Sequence, residues 1–166
     1  MANYIDTTYF IGDISLPVDS ISAQILQKIK TYEPEILTKS VGFDLYKKML
    51  DDPTNQIYLD IVEGKEFQVN EIWYNWRGLT NANKESFIAY YVWFMLVQMD
   101  SSFVSGGGMK QLKSENADIF DTGYMQKTNY NKMVDWIAEM DFFIKSNIGD
   151  YPTYNPQEFD KIPFII

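Results

Sequence analysis

The side chains most able to do chemistry are carboxylates in four groups: Glu33 with Glu35, Asp51 with Asp52, Glu115 with Asp118 and Asp121, and Asp135 with Glu139. A hydrolase can use such a pair when burial separates the two pKa values, so that one carboxyl keeps its proton while the other stays ionised. All four groups fall in polar or helix-terminal stretches, where acids cap helices or face water, so solvated acids are the expectation. Asp118 and Asp121 have part of the spacing of a Ca²⁺ loop, without its alternating acids or its bidentate Glu. Gly106-Gly107-Gly108-Met109-Lys110 has the glycines and lysine of a phosphate loop. Gln111, however, stands where a Ser or Thr is required, and the glycines end a helical pattern instead of opening one. They read as a hinge. The chain has no His, which removes the Ser-His triad and the commonest general base and metal ligand. It has no Cys, which removes disulfides and thiolate sites and fits a cytosolic origin. No catalytic, cofactor-binding or metal-binding residue is expected, and the chain reads as a non-enzyme.

The elements that would position any site follow from charge and periodicity. With 23 acidic and 14 basic residues the formal charge is −9. That opposes binding to a nucleic-acid backbone and suits a surface that DNA passes without sticking. Apolar residues make up 46% and aromatics 16% of the 166, enough for one domain with a single core and for protein–protein contacts through Tyr and Trp. Phe87 to Val97 is an unbroken run of eleven apolar residues. It is short of the roughly 20 residues that a membrane span needs, so it predicts a helix surrounded by protein. Asn83 is the expected cap of that helix, with an end near Phe103 ahead of Ser105-Gly106-Gly107-Gly108. The first residues, Met1-Ala-Asn-Tyr-Ile-Asp, have neither a basic region nor a hydrophobic signal core.

Residues 1–18 predict an extended arm. A first helix, capped by Asp19 or Ser20, has Ile21, Ile25, Leu26, Ile29 and Tyr32 on one stripe and breaks at Glu33-Pro34. Pro34 then opens a short helix ending at Gly42. Phe43, Tyr46, Met49 and Leu50 continue a helical pattern to Asp51-Asp52-Pro53, and Asn55–Glu63 predicts another short helix closed by Gly64. Residues 65–82 read as irregular and aromatic. Met109 to about Tyr124 reads as a projecting loop or short hairpin. The last helix starts near Gln126, carries Tyr130, Met133, Val134, Ile137, Met140, Ile144 and Ile148 on one stripe, and ends at Gly149. Trp136 and Phe142 lie off that stripe. The fold class is mainly α: one domain, residues 1–166, with an extended arm (1–18), a helical core (19–150) built on a long central apolar helix, and a C-terminal tail (151–166). The tail exposes apolar surface if left free. Either it folds back over its own core, or it docks on a neighbouring subunit through Tyr151, Tyr154, Phe159, Phe164 and Ile165.

Several segments together carry a resemblance. They are Glu33-Pro34-Glu35-Ile36-Leu37, Gly42-Phe43-Asp44-Leu45-Tyr46-Lys47-Lys48 and Val62-Glu63-Gly64-Lys65-Glu66-Phe67, then Trp76-Arg77-Gly78-Leu79 ahead of Ile88-Ala89-Tyr90-Tyr91, and Met133-Val134-Asp135-Trp136. Over most of residues 8–152 the chain resembles a family of small proteins from tailed phages and prophages of Bacteroidetes, which in turn looks like head–tail connector (head completion or adaptor) proteins. The resemblance implies a helical subunit of a homo-oligomeric ring in the virion, below the portal protein and ahead of a tail or stopper protein, assembled in the host cytoplasm. Double-stranded DNA would pass its acidic channel without specific binding, and no membrane would be involved. It also implies a portal-contact loop within Ser105–Tyr124, with Gly106, Gly107, Gly108, Met109, Leu112, Phe120 and Tyr124 as its candidate residues. No catalytic role is implied. The rival readings are another virion ring component such as a tail completion protein, a monomeric host binding module with its tail buried internally, and an enzyme using paired carboxylates. The enzyme requires a carboxyl of strongly raised pKa in a real pocket.

Overall fold

The computed structural model describes residues 3–16, 22–100 and 122–163, with the side chains of residues 98–100 and 122 excepted. It is mainly helical. Two 3-10 turns, Thr7–Tyr9 and Gly12–Ile14, precede α1 (Ser22–Val41), α2 (Phe43–Asp51), α3 (Gln56–Glu63), a hairpin of β1 (Lys65–Val69) and β2 (Ile72–Trp76), α4 (Phe87–Asp100) and α5 (Thr122–Ser146). α4 packs against both α1 and α5. Phe87, Ile88, Ala89 and Val92 are fully buried, while Tyr90 and residues 94–97 are partly buried against the core.

The N-terminal segment is not an extended arm over the described residues. Ile5, Tyr9, Phe10 and Ile14 are buried in the main core, and Asn129 of α5 donates its side-chain N–H to the Asp13 carbonyl at 3.1 Å. Lys132 of α5 pairs with the Asp13 carboxylate. Burial of those four side chains, at roughly 1.5–3 kcal/mol each, supplies what the irregular backbone does not.

α1 runs straight through Pro34 instead of breaking there. An interior proline removes one helical hydrogen bond and costs about 3 kcal/mol. Ile29, Ile36 and Leu37, all with 0% exposure, lie on either side of it, and keeping them on one helix face outweighs that loss. The helix ends at Gly42, whose φ of +87° also starts α2. Phe43 is 65% exposed, so the buried face of α2 is Leu45, Tyr46 and Met49. α3 has Asn55 as its cap, accepting from the Ile57 N–H at 3.1 Å, and Gly64 at its end.

Residues 65–76 are a two-stranded antiparallel hairpin, not an irregular stretch. Asn70 (φ +49°) and Glu71 (φ +67°) form a two-residue turn whose twist matches the paired strands. The base of the hairpin is held where two backbones cross. Leu79 and Thr80 N–H donate to the Ile61 and Val62 carbonyls at 3.1 and 2.9 Å, and the Trp76 indole donates to the Ile61 carbonyl at 2.9 Å. Gly64 and Gly78 face each other at this crossing: a Cβ on Gly64 would lie 2.5 Å from the Trp76 carbonyl oxygen, and one on Gly78 would lie 2.6 Å from the Glu63 carbonyl carbon.

Three smaller differences concern helix ends. Ser86, not Asn83, caps α4: it is buried, and its hydroxyl accepts from the Ile88 N–H at 3.2 Å. α5 begins at Thr122, so Tyr124 belongs to its first turn and not to a loop. Phe143 is buried in α5, whereas Ile148 lies beyond the helix and is half-exposed.

The backbone crossing sets a prediction. Gly64→Ala should destabilise by roughly 3 kcal/mol or more, because both the positive φ and the 2.5 Å approach oppose a methyl group. Gly149→Ala, which meets nothing within 4 Å, should stay within about 0.5 kcal/mol of wild type. Denaturant midpoints of the two variants measure the contrast, and equal midpoints would contradict a close-packed crossing.

Candidate functional site

The carboxylates do not converge. Glu35 accepts from Lys39 at 2.6 Å and from the Tyr91 hydroxyl at 2.8 Å, and these bonds, Lys39 first, hold its pKa below the usual value. Tyr91 is pushed up to about 12, by burial first and then by its bond to Glu35. Asp51 and Asp52 are exposed, and Asp52 accepts from Asn55. Asp135 pairs with Lys161 at 2.6 Å. Glu139 takes both bonds of Arg77, at 3.0 and 2.9 Å, while the guanidinium lies 3.8 Å from the Trp136 ring centre. That stack ties the base of the hairpin to α5 and accounts for Trp136 lying off the main stripe. Glu115, Asp118 and Asp121 lie outside the described residues. Among the described residues no group of three or more His, Cys, Asp or Glu is placed to hold a metal.

Glu33 departs from the expectation of solvated acids. It is 3% exposed, and its carboxylate oxygens accept the Tyr4 N–H at 2.9 Å and the Ile5 N–H at 3.1 Å. Burial pushes its pKa up to about 7 against the opposing pull of those two N–H bonds. Burial first, then the Tyr46 and Glu33 charges, push Tyr4 up to about 12, and burial followed by the Glu33 charge raises Tyr46. A buried carboxyl of raised pKa is one mark of a catalytic acid, but both oxygens of Glu33 serve as a clamp on the N-terminal segment. No signal in the local sequence reveals this, since Glu33-Pro34 reads as a helix break.

Of the candidate loop residues, Gly106, Gly107, Gly108, Met109, Leu112 and Phe120 lie outside the described residues, and Tyr124 is 59% exposed on α5. Of the candidate tail residues, Phe164 and Ile165 lie outside them as well. The described tail is a strap laid over its own chain. Tyr151 is buried, packs on Phe143 and donates to the Ile57 carbonyl at 3.0 Å. Tyr154 donates to Asp141 at 2.8 Å. The Asn155 and Gln157 N–H groups donate to the Val41 and Lys39 carbonyls at 3.3 and 2.8 Å, serving the orphan end of α1. Ile162 then exchanges two bonds with the Asn131 side chain, at 2.8 and 3.0 Å. The strap therefore runs back along α5, past residues 141, 135 and 131 in turn. A Cβ on Gly42 would lie 2.7 Å from the Asn155 carbonyl oxygen, so the strap's path requires glycine there.

Between strap and α5 lies an open groove of about 450 Å³. Val134, Ile137 and Ala138 face Pro156 and Phe159 across it, with Asp141, Glu158 and Asp160 at the rim. Phe159 is partly buried against the core from this groove.

Glu33 sets the pH dependence. Its folded pKa lies above the unfolded value, so the stability it confers is fully present below about pH 4.5 and is lost as pH rises through about 7. The difference in unfolding free energy between wild type and Glu33→Gln should fall by on the order of 2–3 kcal/mol between about pH 4.5 and 8. A difference that is flat with pH would contradict a buried carboxyl that prefers its proton. No protein-family model, no curated protein and no solved structure matches this chain.

Proposed function

We propose that the chain is a non-enzymatic structural subunit of a phage virion, of the head–tail connector class, acting in a homo-oligomeric ring between the portal and a tail or stopper protein. The observation that carries this reading is the disposition of charge on a helical body. Many of the described acids pair with one Lys or Arg or face solvent. Asp141, Glu158 and Asp160 line the open groove beneath the strap, and among the described residues no three acids are placed to hold a metal ion. The whole chain is nonetheless at −9. Such a body works through shape and through repulsion of phosphate, which suits a wall that DNA passes. In this reading α4 is the central post, the Ser105–Tyr124 segment reaches the portal, and the tail meets a neighbour through Phe159 and the residues after Pro163. Tyr151 and Tyr154 are left to serve their own core.

A second reading, a monomeric protein-binding module, is favoured by one observation. The strap is bonded to its own chain from Tyr151 to Ile162, as that reading requires.

Electron microscopy of the chain alone and in the presence of a portal ring separates the two, since connectors can need the portal as a template. The connector reading predicts rings with a central hole in at least the templated sample, and no retention of double-stranded DNA even at about 50 mM salt. A compact monomer under both conditions contradicts it and leaves the binding module.

A further inference from the structure

The two outer edges of the β1–β2 hairpin differ in chemistry. The register pairs Phe67 with Tyr74 and Val69 with Ile72. A two-residue turn makes Val69 and Ile72 a hydrogen-bonded pair, so the bonds inside the hairpin fall on residues 65, 67 and 69 and on 72, 74 and 76. The backbone groups of Glu66 and Gln68, and those of Trp73 and Asn75, point outward. The β1 edge carries Lys65 and Glu66, charges of the kind that guard an open strand. The β2 edge reads Ile72-Trp73-Tyr74-Asn75-Trp76 and has no charge and no proline, in a chain of net charge −9. Ile72 is 58% exposed, Trp73 69% and Tyr74 38%. Phe142 of α5, 40% exposed, extends the patch, its ring centre 5.0 Å from that of Tyr74.

We propose that the β2 edge pairs with the β2 edge of a second copy of this chain, antiparallel about a two-fold axis at Tyr74. That register sets Trp73 of each copy opposite Asn75 of the other. Both residues turn their backbone groups outward, so both pairs bond in both directions. The two Tyr74 residues then form the close, non-bonded pair between them. No like charges face each other within the strand, and Arg77 at its margin is already bonded to Glu139 of its own chain.

Area agrees with a weak, specific contact. Taking about 200 Å² for a full large side chain, the four exposed residues present roughly 400 Å² per copy. That surface is split between the two faces of the hairpin, Trp73 on one and Ile72, Tyr74 and Phe142 on the other. The pair therefore buries less than the roughly 1,200 Å² of a stable interface and is expected to be weak. Pairing β2 with the β1 edge of another copy would instead set aromatic side chains beside Glu66 and leave an edge open at each end, free to grow. The two-fold pair is closed and caps the unguarded edge. It stands apart from the connector reading, because a closed pair does not itself build a ring.

Sedimentation velocity from about 1 to 300 μM tests the proposal, with monomer giving way to dimer and no larger species built through the β2 edge. Trp73→Lys places a charge on the edge, and Asn75→Pro deletes one outward N–H without touching a bond inside the hairpin. Each should weaken the dimer at least about tenfold while far-ultraviolet circular dichroism stays that of wild type. If one variant fails to fold, the other carries the comparison. Tyr74→Cys, in a chain without other cysteines, should give a disulfide-linked dimer on mild oxidation. The proposal is overturned by a monomer at every concentration, by a dimer indifferent to both edge variants, or by growth beyond the dimer that both edge variants abolish. Loss of the dimer in the edge variants without cross-linking at position 74 overturns the two-fold register.

Discussion

Backbone crossing backbone at glycine is the constraint on which the rest of this structure depends. At Gly64 and Gly78 the entry and exit of the hairpin pass so closely that neither residue has room for a Cβ. At Gly42 the strap crosses the end of α1 under the same condition. Each crossing is sealed by main-chain hydrogen bonds, Leu79 and Thr80 at one and Asn155 and Gln157 at the other. Unlike a side-chain contact, such a junction cannot relax by choosing another rotamer. It fixes the exit of the hairpin on the end of α3 and the tail on the end of α1, and through them which apolar faces remain open.

Polar side chains make further junctions, two of them buried at Glu33 and Ser86 and one partly exposed at Arg77. Glu33 holds the N-terminal segment, Ser86 starts α4, and Arg77 joins the hairpin base to Trp136 and Glu139. Each of these groups spends its bonding capacity on a neighbouring segment. Many of the described charges at the surface are paired one to one, and an open groove lies beneath the strap. Among the described residues three consecutive exposed apolar side chains, Ile72, Trp73 and Tyr74, lie on β2.

Where local signals are strong, they were legible in the sequence. The mainly helical class, the short helix over Asn55–Glu63 with its stop at Gly64, the end of α2 at Asp51-Asp52-Pro53 and the stripe of α5 through Ile144 all rest on helix-ending residues and helical spacing. The hairpin escaped because β2 carries large side chains on both faces, which hides the period of two, and because Asn70-Glu71 is a poorer turn signal than Asn-Gly. Helix continuity through Pro34 and the burial of Glu33 are set by distant partners, Ile5 and Tyr4 among them, so no local pattern records them. The N-terminal segment packs through Ile5, Tyr9, Phe10 and Ile14, whose spacing fits neither a helix nor a strand. The tail's aromatic content did indicate a need for cover, and the structure supplies that cover from its own core up to Pro163. Of the candidate site, only the need for aromatic contacts was readable, because which aromatics stay exposed depends on the crossings at Gly42, Gly64 and Gly78.

Hydrogen exchange at the Asn155 and Gln157 amides tests the central claim most directly, since both bond across the Gly42 crossing. The account predicts protection of both amides that does not change with protein concentration. In Gly42→Ala that protection should be lost while the amides of α5 stay protected. Free exchange in the wild type, or protection that appears only as concentration rises, would contradict a strap held by its own chain.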